Sequence, residues 1–211
     1  MIANLTYTME KGAIFPVFYH PPIEFFTRLI QHKDNILFEK HEHFPKQTFR
    51  NRASIHSANG KLDLIVPVIK GANVHTAVQD VRISHEFNWQ REHLMSLQTA
   101  YRSSAYFEFY EDDLMPFYEK RWNFLYDYSE EILQFLLKAL KLKFDYTFTS
   151  EYLSAYPGME DYRQSIHPKK GSATELKRYF QVFEEKNGFL PNLSILDLLF
   201  NQGPQSMKYL I

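Results

Sequence analysis

Residues 12–39 read GAIFPVFYHPPIEFFTRLIQHKDNILFE, and the fold turns on how this stretch is parsed. Residues 12–19 are almost wholly apolar, as a buried strand requires, and His20-Pro21-Pro22 ends them because proline cannot donate to a sheet ladder. Pro22 also suits a helix start, where its missing N–H costs nothing. Ile23, Phe26, Leu29 and Ile30 then recur at helical spacing up to about Lys33. Residues 35–39, NILFE, read as a second strand. Strand, helix and strand in this order have one usual solution, a right-handed crossover joining two parallel strands.

Residues 41–52, HEHFPKQTFRNR, gather two histidines, a lysine and two arginines in a chain of net charge −1. Pro45 sets a turn, after which the period becomes two. Phe49, Ala53 and Ile55 are expected to face a core, while Arg50, Arg52, Ser54 and His56 share the other face. Asn59-Gly60 is a hairpin signal because both residues tolerate positive φ, and Leu62, Leu64, Val66 and Val68 line one side of the return strand.

Farther along, residues 81–83 suggest a strand. Asn88 reads as the cap of a helix with the stripe Trp89, His93, Leu97, Tyr101. Residues 105–124 are aromatic and acidic, predicted helical with a break near Pro116. Ser129 is expected to cap a helix whose buried face spans 132–142, and 146–149 alternate like a strand. Ser172-Ala-Thr-Glu175 fits a capping box, Asn187-Gly188 a left-handed stop, and a last helix spans 193–200 with Asn192 as cap and Gly203 past its end. No repeat or linker divides the chain. It is predicted to be one α/β domain over residues 1–211, with a mixed, partly parallel sheet flanked by helices and a helical C-terminal portion.

Composition narrows the function classes. Lys plus Arg (24) nearly balance Asp plus Glu (25), so nothing global draws the chain to nucleic acid or anionic membrane, and any anion site is local. The absence of cysteine removes disulfides, thiolate metal sites and thiol nucleophiles, and fits a reducing, cytoplasmic setting. No apolar stretch reaches the ~18 residues of a membrane span, and the first residues lack a secretory pattern. Neither G-x-G-x-x-G, the P-loop pattern nor G-x-S-x-G is present, so no cofactor is identified.

Three clusters can carry chemistry. His41-x-His43, with His56, offers imidazoles to a metal, set against surface histidines that bind substrate, and no metal ligand is assigned. Lys46, Arg50, Arg52 and His43 offer an anion site to which Gln47 and Asn51 add amides suited to a sugar or base. Pairing of the arginines with Glu39, Glu42 or Asp63 is the competing reading. In His167-Pro-Lys-Lys-Gly171, just before the capping box, Lys169 and Lys170 would cradle a phosphate at a helix N-terminus, set against a loop charge cluster without ligand. In a transfer to an amino sugar, His43 or His41 would take the amine proton, Glu151 would orient that base, and the arginines and Lys46 would hold phosphate. Tyr19, His41 and Glu151 fall at strand ends, where α/β folds bind ligands. The aromatic segment 106–122 carries Glu108, Glu111, Asp112 and Asp113, which repel a phosphodiester; core packing or a homodimer interface suits it better.

The stretches YHPPIEF (19–25), EKHEHFPKQTFRNR (39–52), ANG (58–60) leading to IVPV (65–68), YRSSAYF (101–107), TSEY (149–152) and PNLSILDLLF (191–200), with Trp89, resemble the WbqC-like family of bacterial proteins. The resemblance implies an association with surface-polysaccharide and O-antigen synthesis, and no settled catalytic residues. A transferase acting on a nucleotide-linked or otherwise activated polar substrate is the leading expectation. A ligand-binding or scaffold protein of the same pathway and a metal-dependent hydrolase are the alternatives.

Overall fold

A computed structural model describes residues 12–69 and 75–211. The apolar run after Gly12 forms β1 (Ala13–Pro16), α1 follows over Ile23–Gln31, and NILFE supplies β2 (Ile36–Glu39). β1 and β2 pair in parallel, with Phe15 opposite Phe38, as the strand–helix–strand reading requires. The hairpin is β3 (Arg52–Ser57) and β4 (Gly60–Ile65), a separate two-stranded antiparallel sheet. Within Asn59-Gly60, only Gly60 takes a positive φ, of 95°. The expected strand at 81–83 reduces to single bridges, Ile83 with Val68 and Arg82 with Phe124.

β5 (Tyr146–Phe148) lies beside β2, and β6 (Glu160–Asp161), which the sequence does not announce, lies beside β1. The four strands run parallel in the order β5-β2-β1-β6. Their carboxyl ends therefore share one edge, the place where open α/β sheets hold ligands.

α2 (Trp89–Tyr101), α3 (Phe107–Glu119) and α4 (Leu125–Ala139) follow. The stripe Trp89, His93, Leu97, Tyr101 is buried as its spacing predicts. Pro116 lies within α3 and the helix continues to Glu119, so the break falls a few residues later than expected. Ser129 does not cap α4; it is buried four residues inside the helix, whose N-cap is Phe124.

The C-terminal portion is helical, with α5 (Glu184–Asn187), α6 (Ile195–Gln202) and α7 (Met207–Leu210). No helix follows Ser172-Ala-Thr-Glu175. Ser172 Oγ instead accepts from the Thr174 N–H (3.1 Å) and donates to the Thr174 carbonyl (2.8 Å), a local turn that competes with helix formation. The buried Glu24 carboxylate also claims the Ala173 N–H (2.9 Å). α6 is buried from Ile195 to Asn201. Its stop, Gly203, has φ 51° and leaves no room for a side chain against the Tyr106 ring. No helix among the described residues is long and apolar enough to cross a membrane.

α1 has proline at its N-cap and hence no capping side chain of its own. The segment before α6 replaces it. Asn192 Oδ1 accepts from the Glu24 N–H (2.9 Å), the Leu193 carbonyl from the Ile23 N–H (3.0 Å), and Asn192 Nδ2 donates to the Glu24 carboxylate (3.1 Å). Asn192, expected to cap the last helix, caps the first, and Ser194 caps α6 by accepting from the Leu196 N–H. Asn192→Ala removes a cap and a bond to a buried carboxylate, so a loss of about 2–3 kcal/mol is expected in denaturant unfolding. A loss under about 0.5 kcal/mol would show that the cap contributes little.

Candidate functional site

At the carboxyl edge of the sheet, β2 ends in Glu39, which is wholly buried. Its Oε1 accepts from the His41 backbone N–H (2.7 Å) and the Thr149 hydroxyl (2.9 Å), and its Oε2 from Arg163 (3.2 Å). Arg163, just past β6, also bonds both Asp161 oxygens and the carbonyls of Leu153 and Ser154. The rings of Tyr152 and Tyr156 lie 5.3 and 5.2 Å from its guanidinium. The bonds to Asp161 outweigh burial and push Arg163 above its ordinary pKa. Burial alone would raise Asp161, but the side-chain and backbone bonds from Arg163 hold it below the usual carboxylate range.

Arg50 extends this network. It is 1% exposed, donates to Glu42 through Nε (2.7 Å) and reaches the Arg163 carbonyl through Nη2 (3.0 Å). Burial pushes Glu42 up against the opposing pull of Arg50. The expectation that Arg50 and Arg52 share a strand face is corrected: β3 starts at Arg52, and Arg50 precedes it, turned inward to Glu42. Arg52 pairs with Asp63 at 3.4 Å and remains partly exposed. The pairing reading describes both arginines, but for Arg50 the pair is buried.

His41 is partly buried, with Nε2 3.1 Å from the Thr149 carbonyl and Nδ1 3.4 Å from Gln79 Nε2. A carbonyl only accepts, so Nε2 carries the hydrogen and Nδ1 keeps its lone pair. His43 is exposed, its ring 4.8 Å from that of His75. His56 is buried elsewhere, against Phe183. Among the described residues no group of three metal-ligating side chains gathers. Glu151 is exposed and only its backbone carbonyl is bonded, by Tyr156, so the Thr149 carbonyl rather than Glu151 orients His41.

Lys46 and Gln47 are exposed in the turn, Gln47 with φ 60°. Asn51 is structural: its Nδ2 donates to the Val66 carbonyl and closes the open end of the hairpin. Lys169 and Lys170 are exposed, with no helix behind them. Both surround His167, whose pKa is lowered by burial and then by Lys170, Lys169, Arg50 and Arg52. Charges from the two expected anion sites, Arg52 in the 41–52 stretch and the lysines at 169–170, therefore both bear on His167, the first residue of the His167-Pro-Lys-Lys-Gly171 motif. Of the network residues, sequence reasoning missed Asp161 and Arg163, whose i, i+2 spacing at the end of a strand was the available signal.

Tyr19, expected to contact substrate, is wholly buried. Its hydroxyl lies 2.8 Å from His93 Nδ1 and 3.3 Å from the Tyr118 hydroxyl, which lies 2.8 Å from His20 Nε2. Burial, with His93 nearby, lowers His20 to about 3; burial lowers His93 to about 4, against a bond to the Ile65 carbonyl.

The arrangement defines an α/β protein whose sheet edge is fixed by buried ion pairs and bordered by a local cationic surface. The WbqC-like protein family model matches residues 17–161 and 147–209, and the chain belongs to that family. It is also similar to an uncharacterized protein of Mycobacterium tuberculosis, 25% identical over 228 residues that cover 96% of this chain and 98% of that one. No solved structure matches it significantly.

Breaking the Arg50–Glu42 pair leaves a buried charge alone, so Arg50→Met should cost about 3–5 kcal/mol in unfolding free energy, and adding Glu42→Met should recover most of it. No recovery in the double variant would mean that Glu42 is not the group left stranded. The neutral buried histidines set a pH dependence. Below the ordinary histidine value of about 6.5 the unfolded chain binds protons that the folded chain refuses, so stability falls as pH drops from there towards 4 and 3. His20 has φ 41°, which asparagine tolerates, so His20→Asn should flatten that slope while keeping the backbone. An unchanged slope would contradict a neutral, buried His20.

Proposed function

We propose that the chain is a transferase for an activated, anion-bearing polar small molecule, which lies along the carboxyl edge of the parallel sheet. One observation carries this reading: the charges of Lys170, Lys169 and Arg52 all bear on His167, whose Nδ1 accepts from the Lys169 N–H (3.1 Å), while the carboxylates Glu39, Glu42 and Asp161 at the sheet edge are engaged by Arg50 and Arg163. Lys169 and Lys170 are exposed, Lys170 Nζ donating to the Gln164 carbonyl (3.0 Å), and Arg52 is held by Asp63 at 3.4 Å; phosphate is the chemistry that two lysines and an arginine fit best. In the surface-polysaccharide setting that the family resemblance implies, a nucleotide-linked sugar is the matching substrate class.

His41 is the base in this scheme. With its Nε2 hydrogen held by the Thr149 carbonyl, Nδ1 is the atom that accepts the proton of an attacking amine, which takes the place of the long 3.4 Å contact from Gln79 Nε2. The amine nitrogen forms a bond to the activated carbon of the donor as that carbon's C–O bond to phosphate breaks, and the leaving phosphate takes the electron pair and departs against the lysines. Arg50 and Tyr19 act only through the fold, because neither reaches the surface. A binding role without catalysis is favoured by one detail: among the described residues no carboxylate orients the His41 ring, since Glu39 bonds its backbone N–H instead.

Titration calorimetry with a nucleoside diphosphate and its sugar conjugates tests both readings. Lys169→Ala/Lys170→Ala should weaken binding by about tenfold or more and reduce its salt dependence. His41→Gln should leave affinity intact and abolish turnover of whichever conjugate is consumed. Undiminished affinity in the lysine variant would sink the site, and undiminished turnover in His41→Gln would sink the role of the base.

A further inference from the structure

Away from the sheet edge, α3 and α4 enclose a groove of ≈ 620 Å³ with Phe109, Pro116, Phe117 and Phe135 in its walls. Phe109 is 72% exposed. An adjoining hollow of ≈ 690 Å³ shares Gln134, Lys138 and Lys141 with it. Phe109 beside this groove is thus an exposed aromatic ring with charges at its margin.

The charges along α4 indicate what covers it. Glu131, Gln134 and Lys138 are exposed on one stripe of the helix, and Glu131 lies two turns, about 10 Å, before Lys138. Among the described residues neither Glu131 nor Lys138 forms an ion pair. Along α4 the groove therefore runs from an acidic end to a basic end, the latter extended by Lys141, with Asp113 of α3 on the facing wall.

We propose that a second copy of this chain covers the groove, in a two-fold dimer whose α4 helices cross antiparallel near Gln134. A two-fold axis at that point reverses the order of the charges. Glu131 of each protomer then faces Lys138 of the partner subunit, twice per dimer, and Phe109 is withdrawn from water at the rim. A partner bearing one sign of charge would satisfy one end of the groove and be repelled at the other. A surface with both signs in sequence is its own complement.

Sedimentation equilibrium of the full chain over a dilution series tests this, with circular dichroism and thermal melting to verify that each variant is folded. Wild type should form dimers. Phe109→Glu and Glu131→Lys should each raise the dissociation constant by about tenfold or more. Glu131→Lys/Lys138→Glu, which exchanges the two signs, should restore it to near the wild-type value. Glu131 and Lys138 stand seven residues apart on one helix, so an intrahelical pair cannot produce that recovery. A wild-type monomer at every concentration, a dimer that Glu131→Lys leaves unmoved, or a double reversal that fails to recover would each overturn the proposal.

Discussion

The Arg163 guanidinium is the contact on which the ligand edge of the sheet depends. β6 has two residues and β5 three, too few for ladder hydrogen bonds alone to fix where they end. Arg163 compensates by binding the last carboxylate of β2, the last residue of β6 and two carbonyls of the loop between β5 and β6. Its own carbonyl receives Arg50, which brings in Glu42 and the 41–52 stretch. Three carboxylates thus surround two guanidinium groups with almost every polar atom bonded, the condition under which burying charge is tolerable.

A second polar assembly sets the position of the C-terminal portion. Asp197 is wholly buried in α6, where it accepts from Tyr101 (2.8 Å), Tyr179 (2.6 Å) and Gln181 (3.0 Å). The Tyr101 oxygen in turn accepts from the His56 backbone N–H, so α2, β3, α6 and the extended segment before α5 share one carboxylate. Burial pushes Asp197 up, and the three donors oppose that shift. Together with Asn192 on Glu24 and Asn51 on Val66, this means that many polar residues in the stretches carrying the family resemblance serve architecture.

What could be read from the sequence follows from range. The β–α–β opening was legible because its signals are local: an apolar run, a proline pair, a helical period and a second run within residues 12–39. The hairpin was legible for the same reason. Where a partner far along the chain decided the outcome, the reading failed. Ser172-Ala-Thr-Glu175 has the pattern of a helix start, but Glu24 takes the Ala173 N–H from 149 positions away. Arg50 alternates with Arg52, yet the Arg163 carbonyl, 113 positions away, draws it inward. At the candidate site, composition pointed to the 41–52 and 169–170 segments, but only tertiary structure lets charges from both act on His167.

This division of labour bears on how ligand preference is set. A buried network with almost every polar atom bonded cannot change partners without exposing a stranded charge, so Glu39, Glu42, Arg50 and Arg163 define a fixed frame. The groups with freedom to respond to a ligand are those that the frame leaves outside: Lys46 and Gln47 in the turn, Lys169 and Lys170 after the last strand, and Arg52 with its long 3.4 Å contact to Asp63. These residues sit on loops and at element ends, where substitution disturbs little packing. In the proposed transferase, selectivity would fall to that rim, while the frame fixes where the rim stands relative to His41.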